Sequence, residues 1–209
     1  MATPKNTSAG SAVGSGSLRR ANVVRQTKET DLTVALALDG GAVDITLNTP
    51  GFFVHMLNTL AVYAGWGLSL SGCGDVKVDA HHTVEDVGLV LGEAISLSLG
   101  DYTGHARFGW ALVPMDEALA EAALDVGRRP YLSLSVDWPQ PVTGDFELCL
   151  VEEFFRALAQ KAGFTLHLIF RHGANSHHIC EAIFKAAGLA ARQALAVKPG
   201  GVFSTKGVL

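Results

Sequence analysis

Charge is scarce in this sequence, and cysteine is scarcer still. Asp, Glu, Lys and Arg make up 17% of the 209 residues, and the net charge is −4 at neutral pH. No basic field of the kind that grips a phosphodiester backbone is available, so a nucleic-acid partner is not expected. The three cysteines, Cys73, Cys149 and Cys180, are an odd number without the spacing of a disulfide framework. A reducing, cytoplasmic setting is the simplest expectation. Long apolar runs are missing too: none approaches the roughly 20 residues that span a bilayer. The 48% hydrophobic content and mean hydropathy of +0.27 therefore point to apolar surface covered by other subunits rather than by lipid. Residues 1–20, rich in Gly, Ser, Thr and Ala, lack the apolar segment of a secretory signal and read as a flexible tail. An organelle transit peptide ranks below that reading.

What is present is a repeat. His81-His82-Thr83-Val84-Glu85 recurs as His177-His178-Ile179-Cys180-Glu181. Behind each runs an apolar series, Val84, Val87, Leu91, Ala94 and Ile95, then Cys180, Ile183, Ala187, Ala190 and Ala191. The common spacing i, i+3, i+7, i+10, i+11 marks one face of an α-helix. Upstream lies a second matched pair. Met56, Leu57, Leu60, Ala61 and Ala64 share a face in residues 55–65, as do Phe154, Phe155, Leu158, Ala159 and Ala162 in residues 153–163. Gly65 and Gly163 end these helices, and the pairing sets His55 opposite Glu153.

β-like runs fill the intervals: Leu32–Asp39, Val43–Leu47, Leu68–Ser71, Val76–Ala80, Ala106–Val113, Tyr131–Val136, Phe146–Leu150 and Thr165–Phe170. Gly40-Gly41 reads as a hairpin turn. The expected fold is α+β: two tandem similar halves, each a mainly antiparallel sheet with two helices on one face. The halves divide as residues 21–113 and 114–209, joined near Pro114 and packed together as one unit.

Imidazole nitrogen and carboxylate oxygen are ligands for borderline divalent ions. Residues i and i+3 or i+4 share a helix face, so each motif glutamate lies near both of its histidines. Consecutive histidines differ by roughly 100° around the axis, so a doubled histidine reads as two ligands aimed at two ions. Five of the eight histidines fall in this constellation. The others, His105, His167 and His172, read as ordinary surface or structural residues.

The segments TKET (27–30), HML (55–57), HHTVEDVG (81–88), RFG (107–109), PMDEAL (114–119), RPYL (129–132), HHICEAIFKA (177–186) and STKG (204–207) resemble, in order, the signatures of the imidazoleglycerol-phosphate dehydratase family. The resemblance implies a ribosomal protein S5 domain 2-like fold in each half. It also implies dehydration of D-erythro-imidazole-glycerol phosphate to imidazole-acetol phosphate in histidine biosynthesis, two Mn²⁺ ions per active site, and a homo-oligomeric 24-mer with sites between subunits. Carried over, the metal ligands are His55, His81, His82, Glu85, Glu153, His177, His178 and Glu181. Arg107, Arg129, Lys185, Ser204 and Lys206 are implied in phosphate recognition, Glu29 in proton transfer, and Asp116 as a further active-site acid, with Glu85 and Glu181 also counted among the catalytic carboxylates. Three positions depart from the family pattern. Val54 stands where an acid precedes the ligand histidine, Thr59 where a substrate-contacting glutamine is expected, and Tyr63 where a histidine near the substrate is expected. Metal binding and assembly are therefore the firmer expectations. The alternative is a divergent homologue that keeps a metal-bound shell with altered substrate or no normal catalysis.

Overall fold

A computed structural model describes residues 19–201 and 203–206. Residues 1–18 of the expected tail lie outside the described residues, while Arg19 and Arg20 belong to the folded unit. The first half runs β1 (Arg20–Gln26), β2 (Thr30–Ala37), β3 (Val43–Asn48), α1 (Gly51–Ala64), β4 (Gly67–Gly74) and α2 (His81–Leu99). The second runs β5 (Phe108–Met115), β6 (Ala118–Asp125), β7 (Tyr131–Ser135), a short hairpin of β8 (Val142–Thr143) and β9 (Phe146–Glu147), α3 (Leu150–Ala162), β10 (Thr165–His172) and α4 (Ser176–Ala194). Sheet orders are β1-β2-β4-β3 and β5-β6-β10-β7. In each, two antiparallel pairings are followed by one parallel pairing, β3 with β4 and β7 with β10. The halves are thus two copies of one α+β unit.

Helix α2 lies on β1 and β2, and α4 lies on β5 and β6. Between the sheets, α2 packs on α3 and α1 packs on α4, so each helix pair joins the two halves. Small residues permit this. A Cβ on Gly92 of α2 would lie 2.6 Å from the Leu158 carbonyl oxygen, and one on Gly188 of α4 would lie 2.8 Å from that of Leu60. Gly92 and Gly188 occupy the same place in the two repeats, eleven residues after His81 and His177. An aromatic cluster fills the centre: Phe53 of α1, Phe154 and Phe155 of α3, and Phe184 of α4, with centroids 4.8–5.7 Å apart. All four are buried, each stabilising the fold by about 1.5–3 kcal/mol relative to exposure. Phe154 and Phe184 are chain neighbours of Glu153 and Lys185, so this rigid centre also anchors candidate site residues.

Several expectations need correction. The halves do not join at Pro114, which sits inside β5; the seam is the 100–107 segment between α2 and β5. Gly40-Gly41 is not a hairpin, because β4 lies between β2 and β3. The two glycines carry the chain over the start of β4, where a Cβ on Gly67 would sit 2.8 Å from the Gly41 Cα. Val76–Ala80 is a turn rather than a strand, closed by the Val78 amide on the Asp75 carbonyl (2.9 Å). Phe146–Leu150 is strand only at Phe146–Glu147, because Leu150 already begins α3. β1 and β6 carried no strand expectation.

Candidate metal centre and anion site

The four helices point the same way. Phe52 of α1 meets His177 of α4 (5.0 Å between centroids), and the far end of α1, at Gly65, meets Arg192. Phe53 of α1 meets Phe154 of α3, and Gly88 and Gly92 of α2 meet successive turns of α3. His55, His81, His82, Glu153, His177 and His178 therefore all lie within five residues of a helix start at one end of the molecule, with Glu85 and Glu181 one turn further on.

There α1 and α4 build a compact donor set. His55 Nε2 and His177 Nε2 each lie 3.3 Å from Glu181 Oε2, and ligand atoms of the three residues lie within 4.8 Å of one another. Lys185 Nζ holds the other Glu181 oxygen at 2.8 Å. Burial pushes the Glu181 carboxyl up, but Lys185 and His55 outweigh it and keep it below the ordinary range. Glu181 is therefore a carboxylate at neutral pH. Two imidazoles and one carboxylate, without thiolate, fit a borderline divalent ion such as Mn²⁺.

The second histidine of each motif faces elsewhere. The rings of His81 and His82 lie at 85° and those of His177 and His178 at 83°, with centroids 6.0 Å apart in both pairs. His178 Nδ1 contacts Glu117 Oε2 at 2.7 Å, and His82 Nδ1 contacts Asp75 Oδ2 at 3.1 Å. Those carboxylates raise both histidine pKa values, and hydrogen bonds from His178 and from the Asn175 and Ala174 amides lower Glu117 to about 2. An acid on Nδ1 orients each ring and leaves Nε2 for a metal. Asp116 Oδ2 stands 3.7 Å from His178, and Glu29 Oε2 3.8 Å from His82. His81 and Glu85 face each other at 3.8 Å. Glu153 is not drawn into that pair; it leans toward Arg156 at 3.9 Å.

Two of the five implied phosphate residues meet on one carboxylate. Arg107, buried and in the left-handed region at φ 75°, binds Asp125 through Nε (2.7 Å) and NH2 (3.1 Å). Its NH1 donates to the Phe203 carbonyl (2.6 Å), which brings the segment holding Ser204 and Lys206 alongside. Arg129 reaches the same Asp125 at 3.2 Å. Lys185 stands apart from this group, against Met115 at the opposite end of β5.

Asp75, Glu117 and Asp125 were missed in the sequence. Each orients a candidate residue without belonging to a repeated motif, and the approach in three dimensions is the signal. Thr59 is buried, and its hydroxyl donates to the His55 carbonyl (2.9 Å), so its proton is committed to its own helix. Tyr63 is half-buried, with its ring 5.6 Å from the Lys185 ammonium. His105 is corrected from a surface residue: it is buried, and neither ring nitrogen has a hydrogen-bond partner among the described residues.

Residues 49–191 match the family model described as imidazoleglycerol-phosphate dehydratase. This chain belongs to the imidazoleglycerol-phosphate dehydratase family. Curated dehydratases from Acidiphilium cryptum and Gluconobacter oxydans are 50% and 49% identical, each over 91% of this chain and 99% and 98% of their own length. A crystal structure of the Staphylococcus aureus dehydratase aligns with a TM-score of 0.78 at 34% identity, covering 86% of this chain and 99% of that one. One from Pyrococcus furiosus aligns with 0.79 at 36%, covering 90% and 100%. Members of this family are hydro-lyases, and the duplicated unit described above is the dehydratase fold. Among the described residues no helix is long and apolar enough to cross a membrane.

Proposed function

We propose that this chain is a Mn²⁺-dependent dehydratase that converts D-erythro-imidazole-glycerol phosphate to imidazole-acetol phosphate in histidine biosynthesis. The observation that carries the reading is the convergence of His55, His177 and Glu181 from the two halves, on the framework of this family. His81, His82, Glu85, Glu153 and His178 complete the ligands for two ions per active site. Bound there, the ions supply Lewis-acid stabilisation of negative charge on the substrate's imidazole ring. The chain's own residues do the rest. Arg107 and Arg129 grip the phosphate, with Ser204 and Lys206 beside them, because guanidinium forks and ammonium groups pair well with phosphate oxygens. The hydroxyl on the carbon next to the ring leaves as water, Glu29 takes the proton from the adjacent hydroxyl-bearing carbon, and the resulting enol becomes the ketone. Asp116, near His178, is a second acid at the same end of the molecule.

Assembly belongs to this reading. The metal-ligand end and the Arg107 end are separated by the length of β5, roughly 25 Å at 3.3 Å per residue. One substrate molecule cannot bridge them within a chain, so a complete site takes ligands from one copy and phosphate residues from another. The outward row Phe108, Trp110 and Leu112 on β5, each more than half exposed, supports a homo-oligomer that covers it, a 24-mer by family resemblance.

Purified, Mn²⁺-loaded protein assayed with imidazole glycerol phosphate, beside a His81→Ala/His177→Ala variant, tests the proposal. Ketone formation that vanishes in the variant supports it. Manganese bound without turnover would instead favour a divergent homologue with altered substrate, in keeping with Val54 and Tyr63 on α1.

A further inference from the structure

The turn that carries Glu29 is tied to the ligand helix by a chain of hydrogen bonds that the reaction described above does not use. Asp86 follows Glu85 on α2 and is buried, yet it belongs to neither metal set. It accepts the Thr30 hydroxyl on Oδ2 and is ion-paired with Arg25, whose Nε lies 2.8 Å from Oδ1. Thr30, also buried, has thereby committed its proton, so the Thr27 hydroxyl donates to Thr30 Oγ1 (3.1 Å), with the Thr30 carbonyl at 3.5 Å as its alternative acceptor. Thr27 Oγ1 then turns its lone pairs toward the amides of Glu29 (3.1 Å) and Thr30 (2.9 Å), which it accepts. The far end of the series is the backbone of Glu29, whose carboxylate stands 3.8 Å from His82 on the same α2 helix.

The second half lacks the device. Ala182 occupies the place of Asp86 in the repeat, and the β5–β6 turn is held instead by Glu117 on the Ala174 and Asn175 amides. The clamp therefore serves the Glu29 side, and general folding of the repeat does not require it. We infer that Asp86, Thr30 and Thr27 form a positioning relay that sets Glu29 against the metal-ligand helix for proton transfer. This rests on the proposed role of Glu29.

Thr27 is exposed, so Thr27→Val cuts the relay without disturbing the core. In the full Mn²⁺-loaded protein, Thr27→Val and Thr30→Val each lower kcat by about 10- to 100-fold, the cost of misplacing a reacting group by roughly an ångström. KM stays within about 3-fold for Thr27→Val, because a group that acts only in the transition state leaves ground-state binding alone. Its melting temperature and manganese content also hold. Thr27→Ser retains wild-type kcat. Glu29→Gln/Thr27→Val is no slower than Glu29→Gln, since residues acting as one unit are not additive. Full kcat in Thr27→Val, or losses that multiply in the double variant, would overturn the relay and leave Glu29 in place. Undiminished kcat in Glu29→Gln would remove Glu29 from the chemistry and overturn both the relay and that part of the functional proposal.

Discussion

Replacing Gly188 by alanine should loosen the proposed metal centre from about ten residues away. The Cβ would lie 2.8 Å from the Leu60 carbonyl oxygen and 2.9 Å from Tyr63 Cβ. Comfortable carbon contacts begin near about 3.5 Å, so α1 and α4 must part by roughly 0.6 Å. Such overpacking costs about 1–3 kcal/mol. Alanine returns about 1 kcal/mol of helix propensity over glycine. The net loss is then about 0–2 kcal/mol, which scanning calorimetry reads as a fall of up to roughly 4–8 °C for a chain of this size. The larger effect is expected in metal affinity, because α1 carries His55 and α4 carries His177 and Glu181. Displacement of supporting geometry lowers metal affinity by about 10-fold or more. Calorimetric titration of the metal-stripped protein with MnCl₂ measures it. Gly51→Ala, at the start of α1 where a Cβ meets nothing within 4 Å, is the control and should match wild type in affinity. Wild-type manganese affinity in Gly188→Ala would refute the idea that the α1–α4 approach sets the donor geometry.

Arg107→Ala leaves Asp125 without its buried partner. It should cost about 3 kcal/mol in chemical denaturation and raise KM for a phosphorylated substrate. Arg129→Ala touches the same carboxylate from an exposed position and should raise KM with little change in stability. Thr59→Gln should destabilise the fold by about 1–3 kcal/mol, because a longer side chain must enter a filled site. Tyr63→His, at a half-buried position, should leave the melting temperature nearly unchanged. The Arg19 guanidinium beside Asp39 holds that carboxyl below its ordinary range. A depressed carboxylate contributes stability above its unfolded pKa and loses it as pH falls through the folded value. The melting temperature of Asp39→Asn should therefore lie below wild type at pH 7, and the gap should narrow in acid below about pH 3.

The grouping of the candidate ligand residues was legible because it is local. A histidine and a glutamate four apart on a helix share a face wherever the helix ends up, and the second copy of the motif marked the first as a candidate site. Helix α3 was equally readable from Phe154, Phe155, Leu158 and Ala162. Strand β6 was not. Its sequence, ALAEAALD, has the propensity of a helix, and pairing with β5 and β10 beneath α4 makes it a strand. A Cβ on the neighbouring Gly109 would fall 2.0 Å from the Ala190 carbonyl oxygen. Gly40-Gly41 was misread for a related reason: the glycines answer to a crossing over Gly67, a contact that no local pattern encodes. Asp125, Glu117 and Asp86 stayed hidden because their partners lie 18, 61 and 56 residues away in the chain. That the Thr59 hydroxyl is spent on its own backbone was hidden too, because the resemblance that points to Thr59 says nothing of its rotamer.

The common direction of the four helices has a genetic consequence. It gathers every candidate metal ligand at one pole and leaves Arg107 and Arg129 at the other. Where complete sites form between copies, a defect at one pole disables the sites to which that pole contributes and spares the opposite pole for its neighbours. Chains carrying His177→Ala and chains carrying Arg107→Ala, each impaired alone, would regain partial turnover when co-assembled. About one interface in four would then unite two undamaged poles if equal amounts mix at random, by the closed-symmetry pairing of identical subunits.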